Sequence, residues 1–294
     1  MNFLHYPVMN KEIVNILSNS LQGIFIDCTV GMGGHSYYIL QGLKDSKVIA
    51  IDIDDESIKQ AEINLKEFED GVTFFRFNYI DLFEKIDFFN KSVSGILIDP
   101  GISMFQLKSE ERGFSHNIDS YLDMRKDKTQ KLTAYCVINS FKENQLIKIF
   151  KEYGEVKKAE ELSKAIIEKR LFGAIRTTFG LKEIVEKIYG KRLKKGKVHP
   201  AAKVFQALRI FVNRELEGVE SFLKKIPDYL NSGVRIIFLT YHSIEDRLVK
   251  KTYNFLEREM KLKIIKPFPM FPSEAEIMVN PASRSAKLRV AEVI

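Results

Sequence analysis

Along the first hundred positions, short runs of consecutive apolar residues alternate with segments whose apolar positions recur every three or four residues. The runs cover residues 24–28, 48–51, 72–77 and 95–98. Continuous apolar runs of this length suit strands buried on both faces, as in a parallel sheet. The segments between them read as helices; one, over 56–68, places Ile58, Ala61, Leu65 and Phe68 on a single face. An earlier amphipathic helix carries Ile13, Val14, Ile16 and Leu17 and follows a loop at His5-Tyr6-Pro7-Val8. Strand–helix alternation of this kind predicts an α/β fold with a parallel sheet covered on both sides.

The pattern changes between about residues 106 and 209, where no buried strand stands out. Residues 157–170 have helical spacing at Ala159, Leu162, Ala165 and Ile166, and Thr178 is placed to cap a further helix bearing Leu181, Ile184, Val185 and Ile188. A basic cluster follows: Lys187, Lys191, Arg192, Lys194, Lys195 and Lys197. It reads either as a solvated loop or as a contact for nucleic acid. Pro200 then opens what the periodicity predicts to be one helix reaching nearly to Pro227, with proline at its first turn and an apolar stripe from Ala201 to Ile226. At 1.5 Å per residue that stripe is roughly 40 Å long. Gln206, Arg209 and Asn213 form a polar row on the same helix, either facing RNA or capping neighbouring loops. Parallel-sheet signals return at 233–240, and a last strand is predicted at 286–290. The expectation is a discontinuous α/β domain, 1–105 and 210–294, interrupted by an all-helical insertion at 106–209.

Chemistry concentrates where the first two apolar runs end. The first stops at an acid, Asp27, and a glycine turn follows, Gly31-Met32-Gly33-Gly34-His35-Ser36. The second ends in Asp52, well placed to bind ribose hydroxyls. Glycines after a buried strand let backbone approach a ligand closely. The turn lacks the third glycine of a dinucleotide fingerprint, and the chain contains no G-x-x-x-x-G-K-[ST] loop. A carboxylate at Asp27 would repel a pyrophosphate and favour a sulfonium or an amino group. This charge logic favours S-adenosyl-L-methionine over NAD or ATP. The fourth run ends in Asp99-Pro100, at the strand end where open α/β sheets bind ligands. An acceptor there can hold the N–H of an exocyclic base amine, which is a poor nucleophile while conjugated with its ring.

Composition adds less. The 294 residues are 45% hydrophobic and carry a net charge of +7, enough for a large core and a modest tilt towards an anionic partner. The two cysteines, Cys28 and Cys136, have no metal spacing and read as reduced thiols of a cytoplasmic protein. No apolar run approaches the length of a membrane span. The histidines make no ligand spacing with the cysteines, so no catalytic zinc is expected.

Motifs nearly end to end make the pattern specific. They are His5-Tyr6-Pro7-Val8-Met9, Asp27-Cys28-Thr29, the glycine turn, Arg112-Gly113-Phe114-Ser115, Leu122-Asp123-Met124-Arg125 and Tyr153-Gly154-Glu155. Later come His199-Pro200-Ala201, Phe205-Gln206-Ala207-Leu208-Arg209-Ile210, Asn213-Arg214-Glu215-Leu216, His242-Ser243-Ile244-Glu245-Asp246-Arg247 and Arg284-Ser285-Ala286-Lys287-Leu288-Arg289. In this order and spacing the chain resembles the RsmH (formerly MraW) family of 16S ribosomal RNA cytosine-N4 methyltransferases. The resemblance implies a Rossmann-like class I methyltransferase fold with an inserted helical substrate-recognition domain. It implies that S-adenosyl-L-methionine is contacted by Gly33, Gly34, His35, Asp52, Tyr79, Asp99 and Gln106, with Asp99 as the candidate catalytic residue. The implied partner is 16S ribosomal RNA in the small subunit, methylated on one cytosine of the decoding region.

Some positions depart from the family pattern. Residues 99–106 read Asp-Pro-Gly-Ile-Ser-Met-Phe-Gln where the family usually has Asp-Leu-Gly-Val-Ser-Ser-Pro-Gln; Asp99 and Gln106 are kept. Tyr79 stands for a common phenylalanine, Lys126 for methionine, His116 for phenylalanine, and Thr240-Tyr241-His242 for Ser-Phe-His. Four further assignments follow from position. His35 either contacts the cofactor or simply starts a helix. His242 either acts at the substrate edge or fixes a loop. Asp123 and Arg125 are expected to pair within the insertion, and Glu245, Asp246 and Arg247 to hold the start of a helix.

Overall fold

The structure is a computed structural model that describes residues 6–19, 23–87, 92–190 and 199–294. His5 and the basic residues from Lys191 to Lys197 lie outside the described residues. In chain order the elements are α1 (Asn10–Ser18), β1 (Ile24–Asp27), α2 (Gly34–Gly42), β2 (Lys47–Asp52), α3 (Asp55–Asn64), β3 (Val72–Arg76), α4 (Leu82–Lys85) and β4 (Val93–Ile98). Then come α5 (Met104–Lys108), α6 (Ala134–Ser140), α7 (Glu143–Gly154), α8 (Ala159–Arg170), α9 (Thr178–Tyr189) and α10 (Pro200–Asn213). The chain closes with α11 (Val219–Lys225), β5 (Arg235–Thr240), α12 (Ser243–Arg258), β6 (Leu262–Met270), α13 (Glu274–Val279) and β7 (Lys287–Val293). Two compact units result: one of Met1–Gly101 with Leu216–Ile294, the other of Ile102–Glu215. The helical unit therefore begins a little before residue 106 and ends a little after residue 209.

The first unit holds a seven-stranded sheet in the order β3-β2-β1-β4-β5-β7-β6. β1 to β5 pair in parallel, and β7 runs antiparallel between β5 and β6. This is a Rossmann-like α/β architecture. Alternate residues of the central strands feed two apolar layers. Phe25, Val48, Ala50, Leu97, Ile237 and Leu239 pack with Met9, Ile13, Leu17 and Ile39 on one face. Ile26, Ile49, Ile51, Ile96, Ile98, Ile236 and Phe238 pack with Phe222, Val249, Tyr253 and Leu256 on the other. Every position of β4 is buried, which is why this strand reads as an unbroken apolar run. β6 escaped the sequence pattern because Pro267 and Pro269 interrupt it; prolines are tolerated there because β6 is an edge strand.

The helical unit packs α6 to α10 around a core that includes Leu146, Phe150, Leu162, Ile166, Leu181, Val204, Phe205 and Leu208. Thr177, not Thr178, caps α9, accepting from the Gly180 N–H at 3.2 Å. The Thr178 hydroxyl is used elsewhere, donating to the Ile118 carbonyl at 2.6 Å and accepting from the Ser120 N–H at 3.0 Å.

The single helix predicted from Pro200 to near Pro227 is not formed. α10 stops at Asn213, Arg214 takes the left-handed conformation (φ 51°), and α11 starts after Gly218 (φ 77°). The cause is a buried ion cluster. Glu215 accepts from Arg209 at 2.9 and 3.1 Å and forms an ion pair with Lys126 at 3.0 Å. Residues six apart on a continuous helix lie about 120° apart around the axis and about 9 Å apart along it, so Glu215 reaches Arg209 at this distance because the chain turns back. The polar row beside it holds loops. Gln206 donates to the Tyr153 carbonyl at 3.1 Å. Asn213 donates to the Met124 carbonyl at 2.7 Å and accepts from the Lys126 N–H at 2.6 Å. Asp123 and Arg125 pair in a fork, Nε to Oδ1 at 2.7 Å and Nη2 to Oδ2 at 2.9 Å.

Burial works against the Glu215 charge, but the two cations outweigh it and hold the carboxyl at about 2, below its ordinary 4.5. The cluster therefore stabilises the fold fully above pH 4.5, and this contribution is lost as pH falls towards 2. Glu215→Gln is expected to destabilise by about 3 kcal/mol, since breaking a buried ion pair strands the remaining charges. Urea titrations of wild type and variant between pH 6 and pH 2 check this: the gap should narrow with acidification.

Candidate active site

The carboxyl edge of the parallel strands gathers the acids that the sequence singled out. Asp27 ends β1, Asp52 ends β2 and Asp99 follows β4, with β1 between the other two strands. The glycine turn between β1 and α2 is tied to both neighbours. Val30 donates to the Ile51 carbonyl at 2.8 Å, and the Gly31 N–H donates to Asp52 Oδ2 at 2.9 Å. On the other side, Cys28 donates to the Leu97 carbonyl at 2.9 Å and the Asp99 N–H donates to the Thr29 hydroxyl at 2.7 Å. One turn thus sets the spacing of Asp52 and Asp99.

Gly33 is required by the backbone. Its φ of 83° is left-handed, and an added Cβ would stand 3.0 Å from two carbons of Leu65. Gly34 opens α2, and a Cβ there would meet the Pro7 ring at 3.3 Å.

Asp27 is almost wholly buried. Desolvation raises its pKa, opposed by His35, by the Ser36 hydroxyl donating at 2.7 Å and by the Thr29 N–H at 3.2 Å; Asp99 adds to the rise. A buried carboxylate in this condition is stabilised by a cationic ligand. Asp52 spends one lone pair on Gly31 and one, through Oδ1, on the Asp54 N–H at 2.9 Å. His35 Nε2 lies 2.9 Å from the Val8 carbonyl, which only accepts, so the proton is assigned to Nε2. Its Nδ1 then faces Asp99 Oδ2 at 3.7 Å. His35 both lies in the first turn of α2 and faces the acid edge.

Tyr79 is buried just beyond β3, on the same sheet edge, and packs edge to face on Phe222 with centroids 5.2 Å apart. Gln106 belongs to the helical unit. There it completes a capping box at the start of α5, its Oε1 accepting from the Ser103 N–H at 3.0 Å. The structure thus brings Gly33, Gly34, His35, Asp52 and Asp99 to one edge and sets Tyr79 at the end of the outermost parallel strand. His242 Nδ1 accepts from the Glu245 N–H at 3.3 Å and caps α12. Asp246 ties that helix to β7, accepting from Arg289 and Lys287 at 2.8 Å each. The Cys28 thiol is pushed well up by burial and by Asp27, so it is inert. Among the described residues no group of three or more His, Cys, Asp or Glu could hold a metal ion.

Sequence reasoning gave no role to Thr29 or Ser36. The signal was present: both stand within the motifs around the glycine turn, and both hydroxyls serve an acid of the site.

The model of the MraW methylase family matches residues 2–294. The ribosomal RNA small subunit methyltransferase H of Sulfurihydrogenibium sp. (strain YO3AOP1) is 44% identical over 292 residues, covering 99% of this chain and 99% of its own. Its counterpart in Pseudothermotoga lettingae is 42% identical over 297 residues, again 99% of each chain. Among solved structures, an rRNA methylase from Streptococcus thermophilus covers 99% of each chain at 11% identity, with a TM-score of 0.43.

Gly33→Ala is expected to cost about 1–2 kcal/mol for the left-handed backbone alone, with the Leu65 contact adding to it. Thermal melts should show the loss, and a variant as stable as the wild type would contradict the reading of this turn.

Proposed function

The chain belongs to the MraW methylase family, and on that premise we propose that it transfers a methyl group from S-adenosyl-L-methionine to the exocyclic N4 of a cytosine in the decoding region of small-subunit ribosomal RNA. The observation that carries the reading is the stitched edge: a buried carboxylate that suits a cation, with the acids that end β2 and follow β4 set beside it by the glycine turn. Relatives named as small-subunit ribosomal RNA methyltransferases, matching over nearly the whole chain, support the substrate class.

In this reading Gly33, Gly34, His35, Asp52, Tyr79, Asp99 and Gln106 hold the cofactor. The donor set fits it: Asp27 favours its positive charge, and Asp52 accepts from its ribose. Bound there, S-adenosyl-L-methionine supplies an electrophilic methyl group on a sulfonium. Asp99 accepts an N–H of the cytosine amine, which draws the nitrogen lone pair out of conjugation and gives the departing proton an acceptor. Much of the remaining rate comes from alignment, which can lower a barrier by several kcal/mol. The target base leaves its stack to react, since its amine is otherwise covered by neighbouring bases. We assign recognition of the RNA to the helical unit.

Purified protein with labelled S-adenosyl-L-methionine should methylate small-subunit particles from a strain lacking the activity, at one cytosine, and leave duplex DNA unlabelled. No transfer to the particles would end the proposal. Asp99→Ala should bind cofactor less well and lose most turnover, by about 100-fold if the carboxylate both orients the amine and takes its proton. Normal turnover in that variant would remove Asp99 from the mechanism.

A further inference from the structure

Tyr241 directly follows β5 and reaches the same edge as Asp99. Its ring carbons lie 3.4 and 3.6 Å from the point where a Cβ on Gly101 would stand, and Asp99 Oδ1 lies 3.9 Å from that point. The missing side chain of Gly101 leaves the phenol room beside the carboxylate. The phenol ring thus stands beside the Asp99 side chain, whose carboxylate is able to accept from a hydroxyl. Its own backbone N–H donates to Glu245 Oε2 at 3.1 Å, so the residue is anchored. Burial, first, and then the charge of Asp99 push the phenol well above its ordinary range. At neutral pH it is a donor and not a base.

The groups around this pair come from five elements. Asp27 stands at the end of β1 and His35 in α2; Glu245 belongs to α12, Glu276 to α13, and Tyr241 itself follows β5. Three of these neighbours are carboxyl groups, whose charges disfavour a further carboxylate. His35 stands at the same acid, its Nδ1 3.7 Å from Asp99 Oδ2 and its Nε2 2.9 Å from the Val8 carbonyl. A phenol donates to the carboxylate without depending on a titration near neutral pH.

We propose that Tyr241 is a positioning residue for methyl transfer: its hydroxyl donates to the Asp99 carboxylate, keeps it charged, and fixes which lone pair faces the acceptor amine. This rests on the reading of Asp99 given above. A hydrogen bond to the charged form of an acid favours that form, and it restricts rotation of the carboxyl group.

Tyr241→Phe removes one oxygen and keeps the ring. With small-subunit particles as acceptor, kcat should fall about tenfold or more, the order expected for losing a hydrogen bond to a charged group, while KM for the particles stays within about twofold. The acid limb of S-adenosyl-L-methionine binding, followed by calorimetry between pH 4 and pH 8, should move upward by about half a pH unit or more. A purely structural role would lower the melting temperature and leave both pH profile and kcat in place. Coincident profiles with unchanged kcat therefore overturn the proposal, whatever the melting temperature. If the wild type methylates no particle, the functional reading fails separately, and the binding profile still decides Tyr241. Absence of cofactor binding to either protein would overturn both.

Discussion

Three carboxylates at the ends of β1, β2 and β4 repel one another, and the site depends on how that repulsion is met. Amides and hydroxyls meet part of it: Gly31 and Asp54 donate to Asp52, Ser36 and Thr29 to Asp27. Dipoles of this kind reduce the cost of the charges without cancelling them. Asp27, buried and pushed up by desolvation, is an acid that a cationic ligand would stabilise. The same donors hold the turn in register with the strands on both sides, so the geometry of the acids and their electrostatics have one origin.

The helical unit meets charge in a different way. There Glu215 is neutralised outright by Arg209 and Lys126, and the Asp123–Arg125 fork lies on the loop pinned by Asn213. Full pairing suits a structural role, because it fixes where the chain turns back after α10 and leaves no charge seeking a partner. Within the sheet unit Asp246 is paired in the same structural way, by Arg289 and Lys287, whereas Asp27 is met by hydroxyl and amide dipoles. Desolvation pushes the Asp27 carboxyl up, whereas its two cations hold that of Glu215 at about 2.

The polar residues of α10 show how much a pattern leaves open. Gln206, Arg209 and Asn213 share a face whether they meet RNA or a loop, and periodicity cannot tell the two apart. The hydrogen bonds decide it: each is occupied by a carbonyl or carboxylate of its own unit. His242 was open in the same way and proves to cap α12. Helix caps and loop pins consume polar groups that would otherwise pass for binding residues.

What the sequence determined by itself is what depends on near neighbours in the chain. Buried strands on both faces require apolar runs, amphipathic helices require a three- and four-residue period, and a left-handed turn requires glycine; so the parallel sheet, its helices and the Gly31–Gly34 turn were legible. The acids at the strand ends were legible too, since polarity follows burial directly. Tertiary structure alone decided the rest. The break after Asn213 depends on an ion cluster that includes Lys126, far away in the chain, and the proline-bearing β6 becomes a strand only because β7 lies beside it. Thr29 acquires its role from Asp99, 70 residues on, and Tyr241 acquires its own from the same acid. Such partners are chosen by packing, and no local period in the chain records which distant donor will stand within 3 Å of a given carboxylate.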